Sequence, residues 1–160
     1  MSDETATPGA DQAPLIINGQ YIKDLSFEVP NAPRIFAELD GQPEVPINVD
    51  VTATPVGERF FEVSLKFRIE GRIKGKVAFI AELDYCAVAT VNLPDEHIHP
   101  VLLIEVPRLM FPFARNILAD LTRDGGFPPL MIQPLDFAAM YRNRVQAAQS
   151  QATAENAAAN

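Results

Sequence analysis

Few side chains in this chain sit at spacings that support chemistry. His97 and His99, beside Asp95 and Glu96, could form one corner of a metal site. They are the only histidines, however, and a structural zinc site takes four ligands, mostly His or Cys. The spacing predicts a polar loop ahead of Pro100. Cys86 is the single cysteine, so an intrachain disulfide is impossible. Its neighbours Tyr85 and Ala87 bring no cation to lower its pKa, which predicts a buried or interface thiol rather than a nucleophile. Asp24 and Glu28 stand four apart on an extended segment, so they point the same way, as do Glu82 and Asp84. Paired carboxylates can do acid–base work, but no His, Lys or Ser completes a constellation beside them. Such a set either solubilises the outer face of a sheet or meets a basic partner. Gly71 to Gly75, with Arg72 and Lys74, lacks the pattern that cradles phosphates and predicts a hairpin turn. The apolar stretch 100–113, broken by Pro100, Pro107 and Pro112 and containing Met110, has Met131 and Met140 further on. It could line a binding groove, because Met and aromatic side chains repack around varied ligands, or it could be core. No enzyme, cofactor or metal is expected from these residues.

The elements that must position these groups follow from periodicity. A first strand places Ile17, Gly19, Tyr21, Lys23, Leu25, Phe27 and Val29 on one face, with Leu25, Phe27 and Val29 inward. Asn18, Gln20, Ile22, Asp24, Ser26 and Glu28 take the other face, and Pro30 ends the strand. A second carries Val45, Ile47, Val49 and Val51 on one face. A third has Phe61, Val63, Leu65, Phe67 and Ile69 inward and Glu62, Ser64, Lys66, Arg68 and Glu70 outward. A fourth, Val77 to Val91, is apolar on both faces, with Ala78, Ile80, Cys86 and Val88 on its second. Both of its faces need cover, which either self-association or a helix of the same chain supplies. The short connections predict antiparallel pairing of successive strands. After Pro94, Pro100, Pro107 and Pro112, helical spacing emerges at Phe113, Ile117, Leu118 and Leu121. Gly125 and Gly126 stop that helix. A second helix starts at Asp136, a good N-cap, with Leu135 and Met140 at the staple positions. Four strands followed by two helices is an α+β arrangement.

Length and composition bound the class. The chain has 160 residues, 48% of them hydrophobic and 21% charged, with 13 Lys+Arg against 21 Asp+Glu. That is one globular domain. A net charge of −8 argues against binding a phosphate backbone and suits a basic partner better. Residues 1–14 are small, polar and acidic and predict a disordered tail. Residues 146–160 are mostly Ala, Gln, Asn and Ser and predict a flexible tail into which the preceding helix can extend. The start of the chain does not read as a signal peptide, and no stretch is long and apolar enough to insert in a membrane. The expectation is a cytoplasmic protein.

Several segments resemble one known family. Tyr21 to Pro33, Leu109 to Arg115, Gly125 to Leu130 and Pro134 to Tyr141 are similar, in this order, to the bacterial export chaperone SecB. The resemblance covers residues 15–145. It implies a homotetramer, a dimer of dimers in which each dimer forms an eight-stranded antiparallel sheet and the long helices lie between the two sheets. It implies an ATP-independent holdase that keeps unfolded export precursors from folding and delivers them to the motor SecA. SecA would dock through a basic, zinc-bearing tail on Asp24, Glu28 and Glu82, with Ile80 as an apolar contact. Ala78, Ala81 and Leu83 would neighbour the contact between dimers, and Leu109, Met110, Phe111, Phe137, Met140 and Tyr141 would line the substrate groove. The alternative within this resemblance is a SecB-like chaperone dedicated to one partner, such as an antitoxin.

Overall fold

A computed structural model describes residues 12–41 and 43–158. The disordered tail expected at 1–14 falls mostly outside the described residues. Of its described part, Ala13 and Pro14 are tied to the body: the Asn92 side-chain amide donates to the Ala13 carbonyl at 3.0 Å, and the Asn92 N–H donates to that of Pro14 at 2.9 Å.

Four strands form one antiparallel sheet: β1 (Leu15–Glu28), β2 (Ile47–Gly57), β3 (Phe60–Ile73) and β4 (Lys76–Val91). Their order is β1-β4-β3-β2. Successive pairing therefore holds for β2, β3 and β4 but not for β1, which lies against β4. The reason is the length of the link. Residues 29–46, which include a short 3-10 helix at Arg34–Glu38, can cross a sheet whose strands are ~5 Å apart. The hairpin between β3 and β4 turns on Lys74 and Gly75 alone. Their φ values of 50° and 77° match the twist of the flanking strands.

The helical layer covers one face of the sheet. It comprises α1 (Asp95–Pro100), a π turn at Val101–Glu105, α2 (Val106–Asp124) and α3 (Phe137–Ala158). The prolines expected to break the chain lie in one nearly continuous helical run. Pro94 caps its start. At the π turn the Val106 N–H reaches back to the Val101 carbonyl. That wider turn re-pairs backbone groups close to where Pro100 and Pro107 supply no N–H. His97 and His99 accordingly sit on α1, not in a loop. Val106, Met110, Ala114 and Leu118 are completely buried along one stripe of α2. They meet Val63, Leu65, Phe67 and Ile69 of β3 and Ala81, Leu83, Ala87 and Ala89 of β4. Each large side chain so buried contributes about 1.5–3 kcal/mol. Asp136 caps α3 as expected, its carboxylate accepting from the Ala139 N–H at 2.8 Å. The helix continues to Ala158, and its side chains past Val145 are exposed. Among the described residues no helix is long and apolar enough to cross a membrane.

Candidate functional site

The sheet has one covered face and one open one, and the two carry different chemistry. The open face is charged. Register pairs Asp24 with Asp84, Ser26 with Glu82, and Glu28 with Ile80. Directly paired residues share a face, so Asp24, Glu28, Ile80 and Glu82 lie together on the open side of β1 and β4. Glu82 meets Arg68 of β3, and Asp84 meets Lys66 at 3.7 Å. Asp24 and Glu28 are exposed and have no ion-pair partner among the described residues. The unneutralised negative charge is therefore on β1, at the sheet edge, with half-buried Ile80 beside it.

Further along the open face, Tyr21 donates to Glu62, and Lys23 donates to the same carboxylate at 2.7 Å. These bonds, Lys23 first, hold the Glu62 carboxyl below its ordinary range. The bond to Glu62 pushes the Tyr21 hydroxyl up to about 12. Tyr21 lies here, against the expectation that it shares a face with Leu25 and Phe27. Two register shifts, between Ile17 and Gly19 and between Ile22 and Asp24, swap the faces of β1 and then swap them back. Beneath this cluster Cys86 is fully buried. Burial first, then its 3.3 Å contact with Asp84, raises the thiol to about 11. That removes it from nucleophilic chemistry.

On the covered side, an apolar cleft of about 220 Å³ opens at one end of the sheet. Leu39 and Val45 from the β1–β2 link form one wall, and Phe127 to Met131 from the α2–α3 link form the other. Ile73 and Phe79 provide the floor. Met131 is 60% exposed at the rim. The floor continues below as a string of aromatic rings: Phe27 to Phe79 at 5.7 Å, Phe79 to Phe127 at 5.2 Å and Phe127 to Phe36 at 5.4 Å. Glycines make room for three of them. A Cβ on Gly71 would lie 2.4 Å from the Phe79 ring, one on Gly125 2.2 Å from Phe27, and one on Gly126 2.9 Å from Phe36. The two glycines read as a helix stop thus do separate work. Gly126, at φ +92°, makes the left-handed turn, whereas Gly125 admits Phe27.

The groove residues expected from sequence fall into separate groups, with Phe111 and Phe137 meeting edge to face at 6.1 Å inside the core and Met140 and Tyr141 sharing a different cleft. Met110, Phe111 and Phe137 are core, at 0%, 6% and 2% exposure. The 3.6-residue period turns positions 110 and 111 inward while Leu109 faces out. Met140 and Tyr141 are half-buried and line a second cleft of about 290 Å³ with Val49, Val51 and Leu103. Arg144 closes that cleft by donating to the Val51 carbonyl at 2.7 Å. Ala78, Ala81 and Leu83 are all sealed in the chain's own core. The cleft at Phe79 and Phe127 was missed because its walls come from distant segments. The available signal was the apolar, proline-rich run Phe127 to Met131 in a loop. Among the described residues no group of three His, Cys, Asp or Glu side chains converges as a metal site would require. His99 instead faces the Tyr141 hydroxyl at 3.4 Å.

Residues 9–148 match the family described as Preprotein translocase subunit SecB. The chain is 99% identical to the protein-export protein SecB of Rhodospirillum rubrum over 160 residues, all of both chains. It is 58% identical to the protein-export protein SecB of Paramagnetospirillum magneticum over 142 residues, 88% of this chain and 92% of that one. Among solved structures it is similar to the Mycobacterium tuberculosis SecB-like chaperone in complex with a ChAD peptide from the HigA1 antitoxin. That likeness has a TM-score of 0.59 and 17% identity, and covers 76% of this chain and 90% of the other. At that identity the likeness concerns the fold alone.

Proposed function

Since the chain belongs to the SecB family and is a protein-export chaperone, we propose that it captures unfolded export precursors in the apolar cleft and passes them to SecA from its charged face. The capture needs no nucleotide. A folded client hides its apolar segments and an unfolded one exposes them, so an apolar cleft selects by folding state. Each contact is weak, and several contacts from one flexible chain raise the avidity. SecA docks on Asp24 and Glu28, with Glu82 and Ile80 adjoining, through a basic segment. A zinc ion, where one takes part, belongs to that partner.

The observation that carries this reading is the division of labour across one sheet. The cleft and the carboxylates occupy opposite faces, so client and motor can be held at once. The working form is a homotetramer, a dimer of dimers, in the cytoplasm. Two open features support assembly. The outer edge of β1 presents unpaired backbone groups, and Leu109 and Phe113 on α2 are 49% and 53% exposed. Contacts between copies are accordingly assigned to the β1 edge and this ridge rather than to Ala81 and Leu83.

The test is the refolding of a slow-folding export precursor diluted from denaturant, with and without the protein, in the absence of nucleotide. Arrest or strong delay at near-stoichiometric tetramer is the expected result. Unimpeded refolding across several precursors refutes the holdase reading.

A further inference from the structure

We propose that Thr122 is the positioning residue of the apolar cleft: it alone fixes the backbone of the wall Phe127–Leu130. The inference rests on the reading of that cleft as the client site. Pro128 and Pro129 have no N–H, so the wall has two backbone donors, Phe127 and Leu130. Both go to Thr122. The Phe127 N–H donates to the Thr122 carbonyl at 3.0 Å. The Leu130 N–H donates to the Thr122 hydroxyl oxygen at 2.9 Å. That hydroxyl spends its own proton within α2, where the Leu118 and Ala119 carbonyls each lie at 3.0 Å. Its oxygen is thus left to accept, and its rotation is fixed.

Thr122 is completely buried, in the last turn of α2. A threonine that bonds back to its own helix gains little for the helix itself. Here the same hydroxyl joins a rigid element to the far end of the segment Phe127–Leu130, whose other backbone donor, the Phe127 N–H, goes to the Thr122 carbonyl. The consequence is preorganisation. A wall already in its bound position spares the client the cost of ordering it. Without the hydroxyl, the Leu130 N–H is left unpaired in a partly buried site and the far end of the wall is released. The Phe127 end keeps its carbonyl partner and its ring contacts with Phe79 and Phe36.

The test uses the full chain and a permanently unfolded probe, reduced and carboxymethylated α-lactalbumin. Thr122→Val removes the hydroxyl at constant shape, and Thr122→Ala is the second variant should valine disturb folding. Thr122→Ser keeps the hydroxyl. Met131→Glu blocks the rim of the cleft directly. Loss of one hydrogen bond predicts probe binding about three- to tenfold weaker for Thr122→Val. Amide exchange at Leu130 should be faster, Phe127 less affected, and Thr122→Ser close to the parent. A merely structural threonine would lower the urea midpoint without selective exchange at Leu130. Probe binding unchanged in both hydroxyl-free variants, or serine as weak as valine, overturns the proposal while Met131→Glu still weakens binding. Probe binding unaffected by Met131→Glu overturns the cleft reading, and the client role of Thr122 with it.

Discussion

Gly125→Ala separates two accounts of one glycine. At φ −74° the position accepts any residue, so by backbone preference alone alanine stabilises the end of the helix by up to about 0.5–1 kcal/mol. The packing says the opposite. The added Cβ would lie 2.2 and 2.4 Å from two atoms of the Phe27 ring, well inside van der Waals contact. The ring cannot simply retreat, because it stacks on Phe79 at 5.7 Å, and Phe79 lies across Gly71. Overpacking of this kind costs about 1–3 kcal/mol. The net expectation is a loss of about 0.5–2 kcal/mol, or roughly half a molar in the urea midpoint at a typical slope. Protein concentration must be held fixed, because assembly shifts apparent stability. In a Phe27→Leu background the penalty should largely vanish, so a double-mutant cycle isolates the contact. Because Phe79 floors the cleft, precursor binding should weaken along with stability. A midpoint at or above that of the parent would refute the reasoning, since it would mean that the aromatic string yields freely.

Two further outcomes are expected. Asp24→Lys with Glu28→Lys should abolish SecA docking and leave precursor binding intact, with stability within about 0.5 kcal/mol because both positions are exposed; docking that persists takes these residues out of the site. Cys86, with its thiol raised to about 11, should be about one part in a thousand thiolate at pH 8, so alkylation should be about a hundredfold slower in the native protein than in urea. The sign is that of a raised acid. The neutral thiol favours the fold, so its contribution is complete below the ordinary thiol pKa and is lost as pH rises through about 11. Native labelling as fast as in urea contradicts the buried position.

The legible part of the fold is the part in which period maps directly onto contact. β3 reads inward at Val63, Leu65, Phe67 and Ile69, and all four are buried. In β1 the same alternation misleads. A bulge changes the face without changing the residue pattern, so Tyr21 joins the charged side. The prolines of the helical run mislead for a related reason. Each removes one donor, which predicts a break, but a π turn and a continuous buried stripe along α2 outweigh the loss. Period two put Asp24 and Glu28 on one face and Glu82 and Asp84 on one face, but only the resemblance joined Asp24, Glu28 and Glu82 into a set, because the pairing of β1 with β4 was not legible. Nor was the cleft, since no local spacing brings Leu39, Phe79 and Phe127 together. Only the order β1-β4-β3-β2, set by the long link after β1, places them side by side.

That order also settles how close the two surfaces are. Glu28 follows Phe27 in β1, and Ile80 follows Phe79 in β4. Glu28 and Ile80, proposed to dock the motor, are in register across the open face, while Phe27 and Phe79 stack on the other. One peptide unit on each of two adjacent strands therefore separates the charged surface from the floor of the cleft. On the proposed assignment the two sites share no side chain, so filling the open face would not by itself occupy the client cleft. Release must come either from competition for the client itself or from movement of β1 against β4. Movement of β1 against β4 would disturb the Phe27–Phe79 stack, so a methyl group at position 125, which crowds the Phe27 ring, tests the packing on which such movement would depend.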